Sequence, residues 1–291
     1  MKVSYYPGCS LEVTAKPYDT SARQVCQTLG IELEEVPQWC CCGSSPALKM
    51  DRLLSTALSA RNLVQIESQS VDQVVIPCPF CFRRLISARD EIQTDPDLKE
   101  KVVEAIQADI SGKLNIQNLL GFLRYEIGLD KIRQKVTQPL TGLRVLPYYG
   151  CYLVKPSRVT HYDDGELPVS LDEVLEALGV EVLDWDFKTE CCGAGLSLSK
   201  TDTVVDLTRR IMREAKYKEA DALVVACQLC QANLDMRQDE IGRAENASVA
   251  VPIIYFTQLM GLAFGLSATQ LGLNHHLVEP MSLLKNKGFV K

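Results

Sequence analysis

The sequence predicts an α/β protein of two pseudo-symmetric halves. Each half is a small, mainly parallel sheet with flanking helices and a cysteine cluster at the carboxyl ends of its strands. Three observations predict this. One order of cysteines is written twice, as Cys9, Cys41-Cys42-Gly43, Cys78 and Cys81, and again as Cys151, Cys191-Cys192-Gly193, Cys227 and Cys230. The spacing nearly repeats, with 31 and 39 residues from the lone cysteine to the pair and 35 and 34 from the pair to the Cys-x-x-Cys. Around these cysteines, segments of helical and strand period recur in the same order.

In chain order, KVSYYPG (2–8) is a short strand that stops at Cys9, and LRVLPYYG (143–150) does the same before Cys151. SARQVCQTLGIELEEV (21–36) and SLDEVLEALGVEVLDW (170–185) each read as an amphipathic helix ending at Leu-Gly, then a strand. Gly30 and Gly179 stand where a helix end takes a left-handed residue. VDQVVIPCPFC (71–81) and ADALVVACQLC (220–230) are β-branched runs that end at the Cys-x-x-Cys. The following FRRLISARDEI and QANLDMRQDEI are helical, so helices starting after Cys81 and Cys230 would turn their positive ends to the thiols. Ligands gather beyond the carboxyl ends of parallel strands, which places each set of five cysteines on one sheet edge. Residues 127–142, with Pro139 and Gly142, read as the link, giving domains 1–138 and 139–291. The apolar tail 251–273 is interrupted by Thr257, Gln258, Ser267, Thr269 and Gln270, so it is not a membrane span. It reads as a buried strand and an amphipathic helix, with a surface for a partner subunit or a membrane as the alternative.

A chain of 291 residues can bury two ordinary cores. Net charge is -6 with the basic residues scattered, which argues against nucleic acid as a partner. Twelve cysteines invite a disulfide framework, but the opening MKVSYYPGCS has no signal-peptide apolar stretch. Adjacent cysteines are also poor bridge formers. The expected setting is therefore a reducing cytoplasm, and the expected ligand a soft metal. Zinc takes four thiolates in a closed site, and ordinary cubane clusters also take four, in tighter spacing. Five per half point to a less usual iron–sulfur centre. Of the two cysteines outside the pattern, Cys26 falls on the apolar face of the first helix and reads as core. Cys40 matches Glu190 and reads as a non-ligand, with ligand exchange or a supporting role left open.

The doubled motif, the phrases YPGCS, WCCCGSS, YYGC, ECCGAG and CQLC, and the tail VPIIYFTQLMGLAFGL resemble the B-type subunit of heterodisulfide reductase over essentially the whole chain. The resemblance implies two noncubane four-iron four-sulfur clusters. One would use Cys9, Cys41, Cys42, Cys78 and Cys81, and the other Cys151, Cys191, Cys192, Cys227 and Cys230. It implies two-electron reductive cleavage of a disulfide between the clusters, of the CoM-S-S-CoB type or a related one. It also implies two partners: a ferredoxin-like subunit with cubane iron–sulfur clusters and a flavin-containing subunit. Two similar one-electron centres facing one cavity suit a reaction that needs two electrons, which gives the duplication a chemical reason. Two alternatives stand beside this reading. One is a CCG-type electron-transfer subunit of a succinate dehydrogenase or 2-hydroxy-acid oxidase, passing electrons towards quinone, with peripheral membrane contact through the tail. The other is a scaffold held by zinc.

The eight extra residues of the second copy fall in KPSRVTHYDDGELP (155–168), read as a longer loop over the second site. Lys155 and Arg158 there either meet an anionic substrate or belong to a solvated loop, and His161 reads as a loop histidine, with proton supply as the alternative. His275 and His276 read as surface or packing residues. No Walker loop, dinucleotide fingerprint or nucleophile–base constellation is present.

Overall fold

The computed structural model describes residues 1–44, 46–69, 71–245 and 250–290. It contains two four-stranded sheets, each entirely parallel. The first orders its strands β2-β1-β3-β4, with β1 Lys2–Tyr5, β2 Glu32–Glu35, β3 Gln73–Ile76 and β4 Asn115–Asn118. The second repeats that order as β6-β5-β7-β8, with β5 Arg144–Tyr148, β6 Glu181–Val182, β7 Ala222–Val225 and β8 Ile253–Tyr255. The β-branched run of β7 is buried throughout, as is all of β3 but its first residue, which suits strands covered by helices on both faces.

The crossover helices follow from local sequence. Lys16–Thr28 closes at Leu29, and Gly30 takes the left-handed φ of 74°. Ser170–Glu176 leads to Gly179 in the same conformation, φ 82°. Arg52–Glu67 starts where Asp51 accepts the Leu54 N–H at 2.7 Å. One expectation is corrected: the helices after β3 and β7 do not start behind Cys81 and Cys230. They are Pro79–Thr94 and Gln228–Met236, so Cys78 and Cys227 hold the N-cap positions and the second thiol of each pair lies in the first turn. Pro79 can start a helix because its missing N–H is one that the first turn leaves unpaired anyway.

The halves interlock. The helix Phe256–Ala263, which follows β8, packs on Lys16–Thr28 of the other half, where the Ser21 and Thr257 hydroxyls pair at 2.7 Å. Reciprocally, residues 119–127 after β4 pack on Ser170–Glu176, joined by an Arg124–Glu173 ion pair. Each half's first helix is therefore covered by the other half. The tail helix is also not amphipathic, since all eight of its residues are buried. Its polar members are satisfied: Gln258 donates to the Leu271 carbonyl at 3.1 Å and accepts the Tyr255 N–H at 3.0 Å. The helix Phe256–Ala263 thus offers no apolar face of its own to a membrane. The segment 127–142 is not a plain link, because it holds a helix, Leu129–Lys135. Its Thr137 and Gln138 N–H groups bond the Ala263 carbonyl at 2.8 and 3.0 Å. Among the described residues no helix is long and apolar enough to cross a membrane.

Candidate metal centres at the strand carboxyl ends

The three strands that carry each cysteine set end on the same sheet edge. Cys9 and Cys151 start short helical turns directly beyond β1 and β5. Cys78 and Cys227 lie just beyond β3 and β7, and the Cys-Cys-Gly loops follow β2 and β6. A tyrosine fixes each of those loops: Tyr6 donates to the Cys40 carbonyl and Tyr148 to the Glu190 carbonyl, both at 2.6 Å. Gly43 and Gly193 then turn the chain with φ 76° each. In the first half Asn62 holds the Cys40 peptide from both sides, at 2.8 and 3.1 Å. In the second, Asn233 donates to the Cys192 carbonyl at 2.9 Å.

The two lone cysteines come close to their partners because a glycine precedes them. A Cβ on Gly8 would stand 2.8 Å from Cys81 Sγ, and one on Gly150 would stand 2.8 Å from Cys230 Sγ. Both glycines also carry positive φ, 75° and 68°, which side-chain-bearing residues resist. The thiols pack together, with Cys42 Sγ 3.4 Å from Cys81 Sγ and Cys192 Sγ 3.5 Å from Cys230 Sγ.

Their proton affinities split. Hydrogen bonds from Cys42 and Cys9 hold Cys41 far below its ordinary value of 9.0, and one from Cys151 brings Cys191 down to about 6. Cys9 and Cys151 are pushed up, chiefly by those same contacts. Burial pushes Cys78 up, but bonds from the Cys81 thiol and N–H and from Gln228 carry it below 9.0. Cys81 and Cys230 are driven well up by the thiols beside them. Each half thus accommodates negative charge on some of its sulfurs, as a bound cation requires.

The first five cysteines line one cavity of about 260 Å³, and the second five line another of about 30 Å³. Phe80, Ala194 and Gly195 line both, so the two cavities adjoin. The donor set suits a soft metal centre in each half. The first cavity is larger than a single ion needs. The second holds one water-sized body, so a cluster there requires its thiols to move apart. Among the described residues, no three His, Cys, Asp or Glu side chains are already placed around a single metal ion.

The two remaining cysteines lie elsewhere. Cys26 is fully buried in the core, where burial lifts its thiol to about 12. Cys40 turns its thiol to the Leu58 carbonyl at 3.8 Å and lines neither cavity. The inserted loop does not cover the second site. Tyr162 lies against Gly121 of the first half, where an added Cβ would meet its ring at 2.6 Å. Lys155 pairs with Glu166 in its own loop at 3.1 Å, Arg158 is exposed, and His161 lines a separate cavity of about 280 Å³ with Arg89 and Tyr125. His275 and His276 border a fourth cavity, about 610 Å³, which adjoins the first cysteine cavity through Ser197, Leu198 and Leu229. Burial holds His276 below its ordinary 6.5, and Gln258 and Gln231 bond its ring at 3.0 and 3.1 Å.

Sequence reasoning missed three kinds of site residue. Tyr6 and Tyr148 had a signal, since each stands three residues before the lone cysteine in both copies. Phe80, which stacks on Tyr152 of the other half at 4.1 Å, and Gln228, which reaches Cys78, had none, because their contacts cross between the halves.

The profile of the CCG cysteine-rich domain matches residues 3–86 and 145–235, once around each cysteine set. The chain belongs to the CCG cysteine-rich domain family. Its relatives match nearly end to end. The 8-methylmenaquinol:fumarate reductase membrane anchor subunit of Wolinella succinogenes is 29% identical over 96% of this chain and 98% of its own. The B-type subunit of the ferredoxin:CoB-CoM heterodisulfide reductase of Methanosarcina mazei is 29% identical over 97% and 96%. The corresponding subunit from Methanosarcina acetivorans is 28% identical over the same shares. A hypothetical protein of Helicobacter pylori has the same fold, with a TM-score of 0.74 at 11% identity over 96% of this chain. This chain spans about half of that one, 52%.

Proposed function

We propose that this CCG-family chain is the iron–sulfur subunit of a heterodisulfide reductase-like complex, in which a disulfide takes up two electrons and two protons and leaves as two thiols. The observation that carries the proposal is the adjoining pair of five-thiol cavities, which share Phe80, Ala194 and Gly195 as a common wall. Cys9, Cys41, Cys42, Cys78 and Cys81 would hold one noncubane four-iron four-sulfur cluster. Cys151, Cys191, Cys192, Cys227 and Cys230 would hold the other. When bound, each cluster supplies one electron at a time and iron that can take a sulfur ligand.

The chain's own residues do the rest. Phe80 and Tyr152, stacked across the halves, form part of the wall of the second cavity. Ser10, Ser44, Ser197 and Ser199 line the first cavity and offer hydroxyls to a polar substrate. Tyr6 and Tyr148 hold the Cys-Cys-Gly loops to the sheet edge. The repeats 1–138 and 139–291 would act as one unit, in keeping with their exchanged helices. A ferredoxin-like subunit with cubane clusters and a flavin-containing subunit would feed electrons, in the cytoplasm or at a membrane reached through those partners. The test uses anaerobic holoprotein with a reduced viologen as one-electron donor and an asymmetric disulfide. Two thiols per disulfide are expected, and cluster-loaded protein that releases none refutes the reading.

A second reading rests on the fumarate reductase relative: an electron-transfer subunit passing electrons to or from quinone. It predicts quinone-linked oxidation of the reduced holoprotein with its partner subunits and no response to thiols.

A further inference from the structure

The two Cys-x-x-Cys sequences differ at the residue after the first cysteine, which is Pro79 in one half and Gln228 in the other. Gln228 is 2% exposed, and its Nε2 donates to Cys78 Sγ of the opposite half at 2.8 Å. Its Oε1 is buried without a partner. The amide turns its nitrogen to the sulfur, which leaves the oxygen without a partner. Burying an unpaired carbonyl oxygen costs free energy, and the bond to sulfur is what offsets that cost here. Cys78 also accepts the Cys81 N–H at 3.4 Å. Among the described residues Cys227 lacks both contacts, and the side-chain amide nearest a second-half ligand sulfur, Asn233, stands farther off, 3.9 Å from Cys192 Sγ. Cys227 caps its helix without a side-chain bond, and among the described residues no side-chain amide reaches it. Pro79, which stands in the corresponding place, has no donor at all.

We propose that Gln228 makes the two halves electronically unequal, so that the centre held by the first-half cysteines accepts an electron at a higher potential than the centre held by the second-half cysteines. The inference rests on the iron–sulfur reading above. Reduction adds one negative charge to a centre and its thiolates, with no bond made or broken. A donor on a ligand sulfur stabilises that charge and favours the reduced form. The environment acts in the same direction: Cys9 is exposed and its cavity wide, whereas Cys151 is partly covered and its cavity small. An electron entering the chain therefore settles first on the first half.

The experiment is a redox titration of anaerobic holoprotein, followed by paramagnetic resonance, on the native chain, Gln228→Leu and Pro79→Gln. The native chain should show two separate midpoints. Gln228→Leu keeps the bulk, removes the donor and should lower the higher midpoint while the lower one stays. Pro79→Gln places an amide opposite Cys227 and should raise the lower midpoint alone, a result that does not depend on Gln228→Leu folding. Iron analysis of the same samples separates the two levels of the argument. Protein without iron overturns the iron–sulfur reading and this inference with it. Fully loaded variants whose midpoints do not move, or move together, overturn this inference alone.

Discussion

Gly8→Ala tests whether Cys81 belongs to the first centre. The substitution acts twice. Its φ of 75° is left-handed, which costs a residue with a side chain about 1–2 kcal/mol. The new Cβ would also sit 2.8 Å from Cys81 Sγ, where an ordinary contact needs about 3.5–4.0 Å. The sulfur must therefore retreat by about 1 Å, an overpacking that costs about 1–3 kcal/mol more. Gly30→Ala is the control, because its φ is 74° and an added Cβ meets nothing within 4 Å. It carries the backbone cost alone. Thermal unfolding should therefore place Gly8→Ala below Gly30→Ala by several degrees, at roughly 2–4 °C per kcal/mol for a chain of this size. Iron analysis should find Gly30→Ala fully loaded and Gly8→Ala short of about half its iron, since one of two centres loses a ligand. If Gly8→Ala melts with Gly30→Ala and keeps all its iron, Cys81 is not held where the structure puts it and the ligand assignment fails.

Other perturbations have equally definite outcomes. Arg84 is 5% exposed and gives both ends of its guanidinium to Glu91, at 3.1 and 2.8 Å, so Glu91→Ala strands a buried charge. We expect a loss of about 2 kcal/mol in denaturant unfolding, below the full cost of a broken buried pair because Glu91 is partly solvated. The same pair sets a pH dependence. Burial pushes the Glu91 carboxyl up but Arg84 and Thr56 pull it further down, below its ordinary 4.5. Its contribution to stability is then present above about pH 4.5 and is lost as pH falls through the lower folded value, so acid titration of Glu91→Gln should show a shallower decline than the native chain. Ser21→Ala leaves the buried Thr257 hydroxyl without its 2.7 Å partner and should cost about 1–3 kcal/mol, with Thr257→Val added on top restoring part of it. Lys155→Ala and Arg158→Ala should leave any thiol-induced change in the paramagnetic signal intact, because neither side chain lines a cysteine cavity. A lost response in either would return the inserted loop to the second site.

Much of this architecture is legible in the sequence because it repeats. The doubled cysteine order points to the two cavities its thiols line, and Gly30 and Gly179 mark helix ends that the fold keeps. What the sequence hides is mostly contact between the halves. Thr257 and Gln258 suggest a polar helix face until Ser21 and the Leu271 carbonyl are seen to absorb them. The length of 155–168 reveals an insertion but not its direction, which is set by Tyr162 fitting over Gly121. The helix starts differ from expectation because a Cys-x-x-Cys reads as a loop, whereas Cys78 accepts the Cys81 N–H and caps the helix itself. Gln228 occupies a position that any motif treats as a spacer, and only the opposite half gives it a role.

The most direct test of the account is iron, acid-labile sulfide and zinc content of anaerobically purified protein, with paramagnetic resonance before and after adding a thiol. The account predicts about eight irons per chain, matching sulfide and a signal that thiol alters, as two four-iron centres open to sulfur would give. Stoichiometric zinc without iron or sulfide would contradict it. Full iron with a signal indifferent to thiol would contradict disulfide chemistry and leave electron transfer as the chain's work.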